Sequence, residues 1–342
     1  MKKIIIIGAG AMGSAFTIPC LENKNKVILV GTHLEDNLIE KIKLKQNIHP
    51  ILNISLPKTL QIEKYDKLSH LLSEDVDAIV CGVSSVGIKW FSEQIEKNYK
   101  PNLPIVLLTK GLAIDEGKLI TLSDKIKKIL VEKGHNKINI SAIKGPCLAA
   151  GLANKMRTGT VIANPNIKET EFLKKIISTE YYSTEISDDL TGIEISGAIK
   201  NIYSMLIGAS EGLSNSSTTK EIQSKYYLNT SASLIHRSIS EMVKFVSHYG
   251  GRAETVYGLA GLGDLYVSAI GGRNSLMGKY LGEGYLYKDA KEKFMKDTTV
   301  EGAQLALEIG PQILKNFKQD HYPLMFSILN TVCKNKKLEI SW

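Results

Sequence analysis

The sequence is poor in everything that marks a special architecture. Its 342 residues include only 4 cysteines and 9 prolines. Cys20, Cys81, Cys147 and Cys333 lie far apart and form no C-x-x-C pair. That excludes a disulfide scaffold and an ordinary zinc spacing, and it fits reduced thiols in a cytoplasmic protein. Proline and glycine are too scarce for a collagen-like or disordered chain, and 43% hydrophobic with 23% charged residues is an ordinary globular composition. No run approaches the roughly 18 apolar residues of a membrane-spanning helix. The apolar run in MKKIIII is four residues long before the first glycine, shorter than the roughly 7–15 residues of a secretory signal, so no signal peptide is expected. No internal repeat and no low-complexity tract occurs. Lys+Arg 43 against Asp+Glu 35 gives a formal charge of +8. This favours anionic ligands but is too diffuse for a nucleic-acid surface.

What is present is a change of pattern along the chain. At roughly 150 residues per domain, two domains are expected. Residues 4–7, 27–30, 78–83, 105–109 and 138–143 are predominantly apolar, and amphipathic stretches such as 11–23 and 119–132 lie between them. Strands of that kind alternating with helices predict a parallel sheet covered on both faces. Residues 160–163 and 181–184 read as late edge strands. After about residue 187 strand signals nearly vanish, and helices are expected over 192–213, 235–248, 276–281, 300–309 and 323–333. The reading is an α/β domain over 1–187 and an all-helical domain over 188–342. The polar segment 214–229 is expected to be a loop or short insertion between helices.

The chemistry-bearing motifs fall at the ends of these elements. Gly8-Ala9-Gly10-Ala11-Met12-Gly13 follows the first strand and opens a helix. Gly8 would make the tight turn, Gly10 would let a pyrophosphate approach, and Gly13 would allow close helix–strand packing, with the helix start attracting the phosphates. At the end of the second strand stand Thr32 and His33, with neither an acid nor an arginine. Glu35 and Asp36 lie slightly late, so the choice between NAD and NADP stays open. Lys110 follows one strand end and Lys144-Gly145-Pro146-Cys147 another, positions where open α/β sheets bind ligands. Nothing makes Cys147 a nucleophile, because no histidine lies near it in sequence. Gly192, Ser196 and Lys200 share one helix face, either a tight packing stripe with a solvated lysine or a stripe presenting an ammonium at a contact. Asp264 would orient a lysine or cap a helix. Arg273, at a glycine-flanked turn, suits bidentate phosphate binding.

Taken in order, GAGAMG, TKGL at Lys110, KGP at 144–146, EISGAIKN at 194–201, GLAGLGDL at 258–265 and GGRN at 271–274 resemble the NAD(P)-dependent glycerol-3-phosphate dehydrogenases. The resemblance runs from residue 1 to about 333. It implies a Rossmann-type doubly wound parallel sheet followed by an all-helical C-terminal domain. It also implies hydride exchange between NAD or NADP and a small phosphorylated substrate, sn-glycerol 3-phosphate or dihydroxyacetone phosphate, in glycerophospholipid precursor supply. No nucleic acid, membrane span or metal is expected, and a homodimer would fit.

By matching position, the resemblance makes Lys200 the general acid and base. It places Lys110, Gly145, Cys147, Asp264, Gly272, Arg273 and Asn274 at the substrate, with Asn201 and Ser268 in the same region. It assigns Gly8, Gly10, Ala11, Met12, Gly13, Thr32, His33, Lys110, Ala149, Arg273, Thr299 and Glu301 to the dinucleotide. The segment Lys144 to Gly151 departs from the family pattern, with a lysine for a small residue and a glycine for an acid. That leaves room for another phosphorylated polyol or a 2-hydroxy acid as substrate. A catalytically silent dinucleotide sensor is the alternative outside the enzyme class.

Overall fold

The computed structural model describes residues 1–215 and 220–341. The chain divides into two compact units, Met1–Lys110 with Thr121–Leu190, and Gly111–Ile120 with Thr191–Trp342.

In chain order the first unit holds β1 (Lys3–Ile7), α1 (Ala11–Glu22), β2 (Lys26–Val30), α2 (Asp36–Leu44), the short β3 (Ile48–His49) and β4 (Ile54–Ser55), β5 (Gln61–Glu63), α3 (Leu68–Ser73), β6 (Ala78–Cys81), α4 (Ile88–Ile95) and β7 (Pro104–Leu107). A pair of strands, β8 (Leu112–Asp115) and β9 (Lys118–Thr121), intervenes. Then come α5 (Leu122–Glu132), β10 (Asn139–Lys144), α6 (Ala149–Ala153), β11 (Thr158–Ala163), α7 (Ile167–Ile177) and β12 (Tyr182–Ser187). The main sheet has eight strands in the order β12-β11-β10-β7-β6-β1-β2-β5. β1 pairs in parallel with both β2 and β6, so the strand order reverses beside β1, where doubly wound sheets bind ligands.

Two features differ from the sequence reading. β11 runs antiparallel to β10, and β11 is bonded on both sides, so only β12 is an edge on that flank. Residues 111–120, read as part of the first domain, group with the second unit, where Leu112 and Leu119 join the core and Gln312 donates to the Gly117 carbonyl. The C-terminal unit is therefore helical from Thr191 onward but carries this strand pair as well.

The local causes are simple. Ile4 to Ile7 are β-branched and buried on both faces of the sheet. α5 is capped by Thr121, whose hydroxyl accepts from Asp124 N, and buries Leu122, Ile126 and Leu130 four residues apart.

The second unit continues with α8 (Leu190–Asn215), α9 (Lys220–His248), α10 (Ala253–Tyr257), α11 (Asp264–Gly271), α12 (Arg273–Gly282), α13 (Tyr287–Phe294), α14 (Glu301–Asn316) and α15 (Pro323–Cys333). A π-helical turn, Leu259–Gly263, leads directly into α11. The expected loop over 214–229 is corrected at both described ends. Residues 214–215 finish α8 and 220–229 open α9, while 216–219 lie outside the described residues. Residues 227–233 are all half-buried or exposed, and a polar sequence suits such a helix surface as well as it suits a loop.

One packing detail positions the chemistry. α8 and α12 cross backbone to backbone. A Cβ on Gly208 or Gly212 would collide with the α12 backbone at Ser275 or Lys279, and one on Gly278 or Gly282 with the α8 backbone at Met205 or Ala209. The reciprocal glycines, each pair four residues apart, seat α12 against the helix that carries Lys200. Glu241 ties α9 to α8 and α15 in the same unit. It accepts from Leu324 N at 2.7 Å, Met325 N at 2.9 Å and Tyr203 OH at 3.0 Å, and its burial raises its pKa. Among the described residues no helix is long and apolar enough to cross a membrane.

Candidate functional site

In the first unit the glycine-rich loop presents backbone groups. Gly8 has φ +110° and donates its N–H to Val30 O at 2.9 Å, tying the loop to the end of β2. A Cβ there would sit 2.7 Å from Gly82 C, and a Cβ on Gly13 would collide with Gly8 O. Gly10 differs, because a Cβ on it would meet only Glu35 Oε1 within 4 Å, at 3.9 Å. Its outer face is open. Gly10 caps α1 without any side-chain hydrogen bond, so the first turn, beginning at Ala11 and Met12, presents N–H groups of the kind that hold phosphate. The cradle fits a pyrophosphate.

The Ala9 peptide is clamped on both sides. Its N–H donates to Glu35 Oε2 at 3.0 Å, and its carbonyl accepts from His49 Nε2 and Ser14 Oγ, each at 3.0 Å. His49 is fully buried, and its Nδ1 accepts from Ile51 N and Leu52 N at 3.2 Å. That pattern assigns the ring proton to Nε2. Neither Glu35 nor His49 was singled out as a contact in the sequence. Glu35 lies slightly late in the sequence for a strand-end acid, but Glu35 N bonds Thr32 O at 2.9 Å. This turn folds the carboxylate back to the strand end, where Oε2 also accepts from Thr32 N at 2.8 Å. His33 is exposed and lies against Trp90, with ring centroids 5.0 Å apart, and Tyr65 packs on the same Trp90 at 5.6 Å.

Farther along the sheet, a pocket is lined by Met12, Phe16, Lys110, Lys144, Gly145, Cys147, Thr160 and Tyr182, among others. Lys110 Nζ donates to Gly145 O at 3.4 Å, and Gly145 holds φ +143°. Lys144 is 2% exposed and donates to Leu107 O at 3.1 Å, so this departure from the family pattern points into the sheet end rather than to solvent. Burial pushes the Tyr182 phenol well above its usual value and the Cys81 thiol up to about 12. Cys147 is half-buried in the pocket wall, and Ala149 begins α6 beside it. Met12, Lys110, Gly145 and Cys147, all expected at the site, are thus brought together.

In the second unit the groups are side chains. Lys200 is 3% exposed, which rules out the solvated-lysine reading. Its Nζ donates to Asp264 Oδ1 at 2.7 Å and to Ser268 Oγ. Asp264 and Ser268 stand one helical turn apart on α11, so both reach the same ammonium. Gly192, two turns before Lys200 on the same face, touches Gly251, where a Cβ would fall 2.6 Å from Gly192 Cα.

Next to Lys200 a second network ties the middle of α8 to the starts of α12 and α14. Asn274 Nδ2 donates to Asn201 Oδ1 at 2.9 Å, Gly302 N donates to Asn274 Oδ1 at 2.8 Å, and Asn201 Nδ2 donates to Glu301 Oε2 at 3.4 Å. Arg273 does not sit in a turn as expected. It is the first residue of α12, capped by Gly272, and its guanidinium is 56% exposed and bonded to Glu301 Oε1 at 3.2 Å. Thr299 is exposed just ahead of α14. Among the described residues no group of His, Cys, Asp and Glu is arranged to hold a metal ion.

Residues 3–170 match the family model described as NAD-dependent glycerol-3-phosphate dehydrogenase N-terminus, and residues 189–341 the model for its C-terminus. A glycerol-3-phosphate dehydrogenase [NAD(P)+] of Mesoplasma florum is 33% identical over 98% of this chain and 99% of its own length. An NADP(+)-dependent glycerol-3-phosphate dehydrogenase of Archaeoglobus fulgidus is 31% identical over 85% of this chain and 83% of its own. The crystal structure of glycerol-3-phosphate dehydrogenase from Coxiella burnetii, 26% identical, superposes with a TM-score of 0.81 over 98% of this chain and 96% of that one. With both halves matched in order and the fold shared, the chain belongs to the NAD(P)-dependent glycerol-3-phosphate dehydrogenase family.

Proposed function

We propose that this chain interconverts sn-glycerol 3-phosphate and dihydroxyacetone phosphate with a nicotinamide dinucleotide, using Lys200 as the proton carrier. The observation that carries the reading is the buried Lys200 ammonium, fixed by Asp264 and Ser268 beside the Asn201–Asn274 network. A bound nicotinamide dinucleotide supplies or accepts the hydride. Gly10 and the first turn of α1 would hold its phosphates.

The rest falls to side chains. In the reducing direction Lys200 Nζ donates a hydrogen bond to the ketone oxygen at C2 and gives up its proton there, and in the oxidising direction it takes that proton back. Asp264 and Ser268 hold the ammonium at one point, which removes the rotamer search from the step. Arg273, at the start of α12, binds the substrate phosphate together with the N–H groups of that helix start. Asn274 keeps α12 and α14 in register through Gly302 N. Lys110, Gly145 and Cys147 complete the substrate contacts, with Lys110 also at the dinucleotide. Thr299, Glu301 and Ala149 belong to the dinucleotide contacts. The cytoplasmic location, the homodimer and the role in glycerophospholipid precursor supply are part of the same proposal.

The test is loss of NADH or NADPH absorbance with dihydroxyacetone phosphate, run beside unphosphorylated dihydroxyacetone and other keto-phosphates. Turnover with dihydroxyacetone phosphate well above the others is expected. Turnover confined to a different keto-phosphate would move the substrate assignment, and binding without any turnover would identify a sensor.

A further inference from the structure

We propose that Glu35 sets the coenzyme preference of this chain, favouring the dinucleotide with a free ribose diol, NAD(H), over its 2′-phosphorylated counterpart, NADP(H). The inference rests on the dinucleotide-binding reading above. It starts from the placement of one carboxylate. Glu35 Oε2 is pinned by Ala9 N at 3.0 Å and Thr32 N at 2.8 Å, one from the glycine-rich loop and one from the end of β2. The other oxygen, Oε1, faces the open side of Gly10. In doubly wound sheets this is where the adenosine ribose lies, and an acid there accepts from its hydroxyls. A 2′-phosphate in the same place would meet a carboxylate that its two backbone bonds keep from swinging away.

The surroundings point the same way. Residues 31–40 contain Glu35, Asp36 and Glu40 but no lysine or arginine. Two basic side chains of the neighbouring segments are matched with acids, Lys43 with Glu63 at 3.6 Å and Lys64 with Glu40. His33, the remaining basic candidate, lies against Trp90, and with Tyr65 the three rings form an aromatic patch suited to an adenine face. The edge therefore offers stacking and a diol acceptor, without the arginine that a 2′-phosphate would call for.

Calorimetric titration of the full chain with NADH and with NADPH tests this by binding alone. Like charge at contact distance predicts at least about tenfold tighter binding of NADH. Glu35→Gln keeps an oxygen for the backbone donors and removes the charge. It should narrow the ratio at least about threefold, mainly by strengthening NADPH. Asp36→Asn, exposed and outside the clamp, should leave the ratio unchanged. NADPH binding as tightly as NADH to the parent, an unchanged ratio in Glu35→Gln, or an equal change in Asp36→Asn overturns the proposal while the dinucleotide reading stands. Failure of the parent to bind either coenzyme overturns both.

Discussion

At residues 8–13 of the first unit the groups offered to a ligand are peptide N–H groups, and side chains serve to brace them: Glu35, His49 and Ser14 all grip the one Ala9 peptide. At residues 200–302 of the second unit the offered groups are the side chains themselves, and the backbone serves to bring helices close enough for Lys200, Asp264, Asn201 and Asn274 to bond one another. The first arrangement depends on missing side chains, the second on particular ones. Each should therefore fail in its own way.

The largest effect belongs to the backbone site. Gly13→Ala places a methyl group against Gly8 O, where no flexible side chain can give way. Overpacking of this kind typically costs about 1–3 kcal/mol. Here the displaced group is the glycine-rich loop proposed to hold the dinucleotide, so loss of measurable NADH binding and a lowered melting temperature are expected. Unchanged NADH affinity in this variant would mean that the loop is not held as described.

A smaller effect is expected at the side-chain site. A charge-assisted phosphate contact is worth about 1.5–3 kcal/mol. Arg273 is 56% exposed and shared with Glu301, so the lower end applies. Arg273→Ala should raise KM for dihydroxyacetone phosphate about tenfold with kcat little changed. An equal rise for unphosphorylated dihydroxyacetone would take the phosphate away from Arg273 and weaken the contrast between the two units.

The same contrast explains what could be read from the sequence. The glycine loop, the strand-helix alternation and the change of character near residue 187 were legible because each is written in local pattern. α15 falls at 323–333, the bounds expected for the last helix. Lys200, Asp264, Arg273 and Asn274 stood out through motif order, and the lysine-orienting reading of Asp264 is met at Lys200, but the Asn201–Asn274 bond was not legible, because those residues are 73 apart. Glu35 was passed over since distance along the chain hid the turn at Thr32 that folds it back. His49 was missed because it belongs to a two-residue strand with no periodicity to reveal it. The α8–α12 crossing escaped notice for the opposite reason: Gly208, Gly212, Gly278 and Gly282 weaken a helix locally, and only packing shows what they are for. Segment 214–229 misled because polar composition marks exposure, which a loop and a helix surface share.

Lys200 is proposed as the group that moves the proton, and single-turnover reduction of dihydroxyacetone phosphate by NADH in Lys200→Met measures this directly, with an NADH titration alongside. Positioned proton transfer contributes about 10²–10⁴ in rate, so the chemical step should slow by that factor while NADH affinity stays within about twofold of the parent. A chemical step within about tenfold of the parent, with NADH bound as before, would contradict it.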